Sequence, residues 1–212
     1  MNISFVYFDI GGVLIKDFSA TNKWDRMKRS IGVLPEIDDL YEDLWKEHAQ
    51  RVCLDYDVDN LIPLMKEHLK LQLTEDFSLL NEFIVRFENN PDLAELAKKI
   101  QEKVGVGLLT NMYPRMLNAI KEAALIPDID WNAVVDSSDV VLEKPNVEIY
   151  IHAAKAAGIP KEEILFIDNT PANIEAAENF GMQTFLYDSG DYEGSNKKAA
   201  ELFSKNKLAL EL

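Results

Sequence analysis

An apolar run, Ile3-Ser4-Phe5-Val6-Tyr7-Phe8, opens the chain and stops at Asp9, after which Ile10-Gly11-Gly12-Val13-Leu14-Ile15 follows. A short run of this kind, ended by paired glycines, predicts a buried strand. It leaves Asp9 at the strand's C-terminal edge, where open α/β sheets bind ligands. The glycines allow backbone amides to approach an anion closely. From about Asp17 to residue 90 the period changes to that of helices. Residues 37–51 place Ile37, Leu40, Tyr41, Leu44, Trp45 and His48 at helical spacing, with acidic residues on the other face. A second helix is predicted from Val58 to about Leu71, through Leu61, Met65, His68 and Leu69. A third carries Leu79, Leu80, Phe83, Ile84 and Phe87 up to Asn89-Asn90. Three or four such helices predict a small bundle.

From Pro91 onward, helix and strand alternate. Asn90-Pro91-Asp92 predicts a helix start, with Asn as cap and Pro at the first helical position, and the helix is expected to end near Gly105. Strands are predicted at 106–110, 133–136, 164–168 and 183–187. Helices are predicted at 113–125, 147–157 (closed by Gly158) and 171–180 (ended by Gly181). Continuous apolar strands separated by helices imply a parallel sheet covered on both faces, a doubly wound α/β fold. Segment 17–90 interrupts the alternation directly after the first strand. The expected organisation is therefore a core of residues 1–16 and 91–212 with a helical cap, 17–90, over the C-terminal edge of the sheet. Residues 192–212, with Ala199, Ala200, Leu202, Phe203 and Leu208, predict a terminal helix lying on the core.

Composition adds a constraint on chemistry. The 212 residues are 47% hydrophobic and 9% aromatic, enough for one or two domains with a real core. The formal net charge of −15 disfavours nucleic acid and anionic membranes as partners. An acidic chain that acts on an anionic substrate needs a local cation, and a divalent metal would serve. No stretch reaches the length of a membrane span and the chain starts directly on a strand, so the cytoplasm is the expected compartment. Cys53 is the only cysteine and reads as packing. His48, His68 and His152 are too scattered to form a cluster.

Four predicted strand ends, or the loops after them, deliver polar groups to one edge: Asp9, Thr110-Asn111, Lys144 and Asp168-Asn169. A nucleophilic carboxylate, a hydroxyl, an ammonium and a second carboxylate are what transfer of an anionic group onto an aspartate requires. Each has a plainer reading alone: turn residues for Asp9 and Thr110-Asn111, a solvated lysine for Lys144, a helix N-cap for Asp168-Asn169. In this order the chain resembles the haloacid dehalogenase-like hydrolase superfamily, over residues 3–16 and 92–188. The resemblance implies a Rossmann-like core, with segment 17–90 standing where that family carries a helical cap. It further implies that Asp9 is the nucleophile forming an aspartyl-phosphate and that Thr110 holds the transferring phosphoryl oxygen. Lys144 neutralises the intermediate and Asp168 belongs to a magnesium site. Gly12, Thr110, Asn111 and Lys144 are the expected phosphate contacts. Asp9, the backbone carbonyl of Gly11, Asp168 and Asn169 are the expected Mg²⁺ ligands. The implied partner is a small phosphorylated substrate, met by a monomer or a homodimer.

Two positions depart from the family's phosphatases. Gly11 stands where they usually carry a second Asp that protonates the leaving oxygen and later activates water, a contribution of about 10²–10⁴-fold. Asn169 stands where many have a second acidic residue. These departures open two alternatives, a metal-independent 2-haloacid dehalogenase and a weakly active or inactive member that binds a phosphorylated ligand or a protein. Without the acid at position 11, leaving groups of low pKa are expected to be cleaved far better than alkyl phosphates. The basic run Lys16, Lys23, Arg26, Lys28 and Arg29 reads as a solvated helix face, with the alternative that one or two of these cations reach the substrate.

Overall fold

A computed structural model of the chain describes residues 2–205. Its central sheet holds five parallel strands. β1 (Phe5–Phe8) lies in the middle, and the short β2 (Ile15–Lys16) leaves the sheet. Four helices follow: α1 (Lys23–Ser30), α2 (Asp38–Val52), α3 (Leu61–His68) and α4 (Leu79–Ile84). The chain returns through β3 (Glu88–Asn89) and α5 (Pro91–Gln101), then β4 (Gly105–Thr110), α6 (Met116–Glu122) and β5 (Ala133–Asp136). It continues with α7 (Ser137–Val140), α8 (Val147–Ala157), β6 (Ile164–Asp168), α9 (Pro171–Phe180), β7 (Gln183–Leu186) and α10 (Tyr192–Lys205).

The sheet order is β5-β4-β1-β6-β7. The chain builds outward from β1 on one side and then returns to the other, so the order reverses at β1. In such sheets the crevice at the carboxyl ends of the flanking strands is the usual ligand site. Phe5 is in register with both Gly105 and Ile164, and Phe8 with both Leu108 and Ile167. Strand alternation divides the core into two layers. Phe5, Tyr7, Leu109 and Phe166 pack with Ile149, Tyr150 and Ala153 of α8. Val6, Phe8, Leu108 and Ile167 face the other way, against Leu93, Leu96 and Ile100 of α5, Ile120 of α6 and Phe203 of α10. That second layer runs without a break into the cap helices through Met27, Tyr41, Leu61, Leu79 and Phe83.

The two crossings between sheet and cap helices are zipped together by an antiparallel ribbon, with Ile15 opposite Asn89 and Lys16 opposite Glu88. This ribbon was not expected, because two residues per strand carry no readable period. It replaces the end of the third helix, which is predicted to run up to Asn89-Asn90 but stops at Ile84, and α1 starts at Lys23, not near Asp17. Asn90 also differs from expectation. It occupies the N-cap position of α5, but its side chain makes no cap hydrogen bond. Instead its Nδ2 donates to the Val13 carbonyl (2.8 Å) and the Tyr187 hydroxyl (2.9 Å), pinning the loop after β1 to the body of the core. The helix predicted over 113–125 shortens to α6 because Pro114 precedes Arg115, which takes φ 71°.

Within α1–α4 the aromatic residues pack against one another. Trp24 stacks on Phe83 at 6.1 Å and meets Trp45 at 4.9 Å. Leu40 is the exception, 55% exposed beside the buried Tyr41. The basic run is absorbed locally. Lys28 is buried against Asp25, Asp38 and Glu42 at 2.7–3.2 Å, Arg29 pairs with Asp38, and Lys23 pairs with Glu88. The described part of the terminal helix lies on the core through Ala199 and Phe203, whereas Leu208 and the stretch to 212 lie outside the described residues. Among the described residues no helix is long and apolar enough to cross a membrane.

Candidate active site

The β1 ladder continues one residue past the strand, since the Asp9 amide donates to the Ile167 carbonyl at 2.9 Å. This fixes the Asp9 backbone between the ends of β4 and β6. Its side chain then meets Lys144, whose Nζ is 3.0 Å from Asp9 Oδ1 and 2.6 Å from Asp168 Oδ2. The ammonium also donates to the Leu109 carbonyl at 3.1 Å and lies over the Phe166 ring. All three donors of Lys144 are thus used, as a buried ammonium requires. Asp168 is fully buried. Oδ1 accepts from the Thr170 amide at 2.7 Å, and both of its oxygens accept from Asn173 Nδ2 at 3.1–3.2 Å.

Lys144 does not follow a strand directly, and the structure shows what delivers it. The Asn111 side chain brackets the Lys144 backbone, accepting from its N–H and donating to its C=O, both at 2.9 Å. The Lys144–Pro145 peptide is cis. Asn111, expected as a phosphate contact, therefore uses its side chain to position Lys144, and only its backbone amide is left for a ligand. Thr110 stands at the end of β4 with its hydroxyl fully buried beside Asp9, close enough to work against the rise of that carboxyl but outside good hydrogen-bond geometry with any group. An orphaned buried hydroxyl beside a carboxylate is a costly arrangement that a ligand oxygen would relieve.

Gly11 and Gly12 separate in role. Gly11 lines an open cavity of about 390 Å³ together with Asp9, Asp17, Asn111, Lys144 and Asn169. Gly12, expected at the phosphate, lies beneath Asn169 instead, and its carbonyl accepts from Ser189 Oγ at 2.8 Å. Asn169 Nδ2 donates to the same Ser189 hydroxyl at 2.9 Å. Gly12 has φ +72°, and a Cβ there would fall 2.1 Å from Asn169 Nδ2 and 2.7 Å from Ser189 Oγ. Gly12→Ala is therefore expected to cost about 2–3 kcal/mol, combining a left-handed backbone with displacement of both side chains. Gly158→Ala is the control, since φ there is +67° but no atom lies within 4 Å. Equal losses of melting temperature in the two variants would show that crowding over Gly12 has no role.

Electrostatics at the site are unbalanced. Burial, with Asp168 adding to it, raises the Asp9 carboxyl to about 6 even though Lys144 works against the rise. Burial opposes the Lys144 charge, but Asp9 and Asp168 hold it and the net direction is upward. Asp17, also raised by burial, brings a second carboxyl to the cavity lining beside Asp9, with Asp168 buried behind them. Among the described residues no three His, Cys, Asp or Glu side chains are grouped as a ready metal site. A cation here would have to draw on the Gly11 carbonyl and the Asn169 amide as well as on carboxylates. None of the basic run lines the cavity, and Cys53, its thiol pushed up to about 12 by burial, is inert as a nucleophile.

Sequence reasoning missed three residues here. Asp17 falls at the predicted beginning of a helix, although Asp17-Phe18-Ser19 has the form of a side-chain-closed turn, and the Ser19 amide donates to Asp17 Oδ1 at 2.8 Å. Asn173 lies five residues beyond Asp168, where one helical turn returns it to that carboxylate. Ser189 gives no sequence signal, because it arrives from the loop after β7.

The comparisons with known proteins bear on the family and the fold. A curated (S)-2-haloacid dehalogenase from Pseudomonas putida is 22% identical over 195 residues, covering 85% of this chain and 82% of that protein. A HAD family enzyme from Bacteroides thetaiotaomicron superposes with TM-score 0.75 at 19% identity, over 90% of this chain and 96% of that one. The same enzyme has been solved in complex with magnesium and inorganic phosphate, with TM-score 0.70 at 18% identity, over 89% and 96% of the two chains. The L-2-haloacid dehalogenase of Xanthobacter autotrophicus with chloropropionic acid covalently bound superposes with TM-score 0.61 at 20% identity, over 87% and 77%. The family model for haloacid dehalogenase-like hydrolases matches residues 3–181, which contain every strand of the sheet except β7 and every polar group of the strand-end cluster, and the chain belongs to that family of hydrolases.

Proposed function

We propose that this hydrolase is a magnesium-dependent phosphatase of a small phosphorylated metabolite, acting through an aspartyl-phosphate on Asp9. The observation that carries the reading is the charge balance of the site. Two buried carboxylates, Asp9 and Asp168, share one ammonium, and Asp17 adds a third acidic group at the cavity. Lys144 is the only cationic side chain among the lining residues, and it is already engaged. A haloacid carboxylate would enter this site with no cation to receive it. A phosphate ester bound with a divalent ion brings its own compensation.

The donor set suits magnesium, which prefers hard oxygen ligands and few carboxylates. Asp9, Asp168, the Gly11 carbonyl and the Asn169 amide oxygen would hold it, and it would supply charge neutralisation and orientation of phosphoryl oxygens. The bound magnesium and phosphate of the Bacteroides thetaiotaomicron enzyme support the same assignment. The chain's own groups do the rest. Asp9 attacks phosphorus, the orphaned Thr110 hydroxyl and the Asn111 amide bind the phosphoryl oxygens, and Lys144 holds Asp9 ionised and in line. The cap helices, in this reading, set substrate choice.

The dehalogenase relatives favour a second reading, displacement of halide from a 2-haloacid by Asp9 without metal. Hydrolysis of 4-nitrophenyl phosphate in magnesium and in EDTA, beside halide release from (S)-2-chloropropionate, separates the two. The phosphatase reading expects a loss of about 10²-fold or more on chelation and no halide release. Metal-independent halide release would replace it with the dehalogenase. No turnover in either assay, with a melting temperature raised by magnesium and beryllofluoride, would leave a phosphate-binding member of the family.

A further inference from the structure

The family position that carries the leaving-group acid is Gly11 here, and the structure shows what stands in its place. A Cβ built on Gly11 points directly at the Asp17 carboxyl, with Oδ2 at 2.8 Å. A side chain projecting from residue 11 would therefore enter the volume that Asp17 already fills. Resting on the phosphatase reading, we propose that Asp17 is the catalytic acid and base of this enzyme, supplying from the turn after β2 the carboxyl that the loop after β1 lacks.

Several features make Asp17 suited to this task. It lines the same cavity as Asp9, Gly11 and Asn169. The Ser19 amide holds Oδ1 at 2.8 Å, which fixes the carboxyl plane and directs the other oxygen toward Gly11. The turn itself is anchored. Phe18 is clasped by Trp24, Phe83 and Phe87 at 5.5–5.8 Å, and Ser19 meets the Asn169 side chain. Among the described residues Asp17 takes part in no ion pair, so it is not committed to a structural cation as Asp9 and Asp168 are.

The chemistry balances with these groups alone. As an Asp9 oxygen bonds to phosphorus, the ester P–O bond breaks with its electron pair on the leaving oxygen. The Asp17 carboxyl gives that oxygen its proton, releasing an alcohol and leaving Asp17 as carboxylate. Water then attacks the phosphorus of the aspartyl-phosphate. Asp17 takes one water proton, the bond between Asp9 and phosphorus breaks, and inorganic phosphate departs with both carboxyl groups restored. The steep leaving-group preference expected of a chain without this acid then belongs to the Asp17 variants and not to the unaltered enzyme.

The test compares 4-nitrophenyl phosphate, whose leaving group needs no proton, with glycerol phosphate, whose leaving group does, both in saturating magnesium. Asp17→Asn is expected to lower kcat/KM for glycerol phosphate by about 10²–10⁴-fold. For 4-nitrophenyl phosphate, kcat/KM is expected to stay within about tenfold, while kcat and KM fall together because water attack on the phospho-enzyme loses its base. Gly11→Asp combined with Asp17→Ala is expected to recover at least about tenfold of the glycerol phosphate activity that Asp17→Ala alone loses, with a melting temperature confirming the fold. Equal losses on both esters, a loss that more magnesium repairs, or no recovery in the folded double variant would overturn the proposal. Absence of any Asp9-dependent turnover in the unaltered chain would remove the phosphatase reading and this proposal together.

Discussion

Asp9→Asn is expected to abolish hydrolysis and at the same time to stabilise the protein at neutral pH. On the proposed phosphatase reading the first effect follows from the loss of the nucleophile, for which a fall on the order of 10⁴-fold or more is expected, since an amide oxygen would not form the phosphoryl intermediate. The second follows from burial. The folded state holds the Asp9 proton up to about pH 6, raised by burial and by Asp168 against the pull of Lys144. The unfolded chain releases it near 4. Between these values the folded state binds more protons than the unfolded one, so stability falls as pH rises from about 4 to about 6 and stays lower above it. The difference of about two pH units corresponds to roughly 3 kcal/mol at pH 7. An amide does not titrate and removes this term. Thermal melts in EDTA should show the variant several degrees above the parent at pH 7.5, with the gap closing towards pH 4.5. A variant less stable than the parent at pH 7.5 would show that the pairing with Lys144 outweighs the cost of burying Asp9, and one that keeps turnover within tenfold would show that Asp9 is not the nucleophile.

This opposition of stability and activity is expected where a site stores unbalanced charge. It also shows how far the sequence could be read. The sheet was legible because its three central strands, β1, β4 and β6, are buried on both faces and appear as nearly unbroken apolar runs, while the edge strands β5 and β7 show through their spacing between helices. Its strand-end groups followed, because the end of a strand fixes where the next residue points. Asp9 and Asp168 needed no more than that. Lys144 did: its position depends on the Asn111 bracket around its backbone, a contact between residues 33 apart that no local pattern encodes. The ribbon of β2 and β3 is too short for any period to register, and without it the turn that carries Asp17 looks like the first turn of a helix. Asn90 shows the opposite error. Asn-Pro is a sound cap signal, but the buried Val13 carbonyl takes that amide, because leaving it unpaired inside the core would cost more than an uncapped helix end exposed to water, and the Tyr187 hydroxyl, itself held by Asn196, accepts the second proton. Leu40 has the right spacing on α2, yet the face that turns inward is centred on Tyr41 and Trp45, one residue further round the helix.

Lys144→Met is the second substitution with a large expected effect, and its sign is opposite to that of Asp9→Asn. The ammonium is 2.6 Å from Asp168 and 3.0 Å from Asp9, and is itself only 4% exposed. Replacing it with an apolar chain of similar length keeps the volume but leaves two carboxylates buried without their cation, a loss of about 3–5 kcal/mol. For a chain of this size that is on the order of 10 °C in melting temperature. Asp168 keeps the Thr170 amide and the Asn173 side chain, so Asp9 carries the larger part of the loss. Without Lys144 to oppose burial, Asp9 should hold its proton to a still higher pH than in the parent. The deficit should therefore be greatest at pH 8 and shrink as pH falls and Asp9 becomes neutral. On the proposed phosphatase reading, turnover should fall by about 10²–10³-fold or more, through loss of charge neutralisation at the reacting phosphoryl group. Lys144→Arg distinguishes charge from geometry. A planar guanidinium restores the charge but does not fit between two oxygens and the Phe166 ring in place of a compact ammonium. It should recover part of the stability and little of the activity. Full recovery of both by arginine would show that charge alone, without the compact geometry of an ammonium, is what the site requires, and a Lys144→Met deficit that does not change with pH would show that Lys144 acts as packing and not as the counter-ion of the two aspartates.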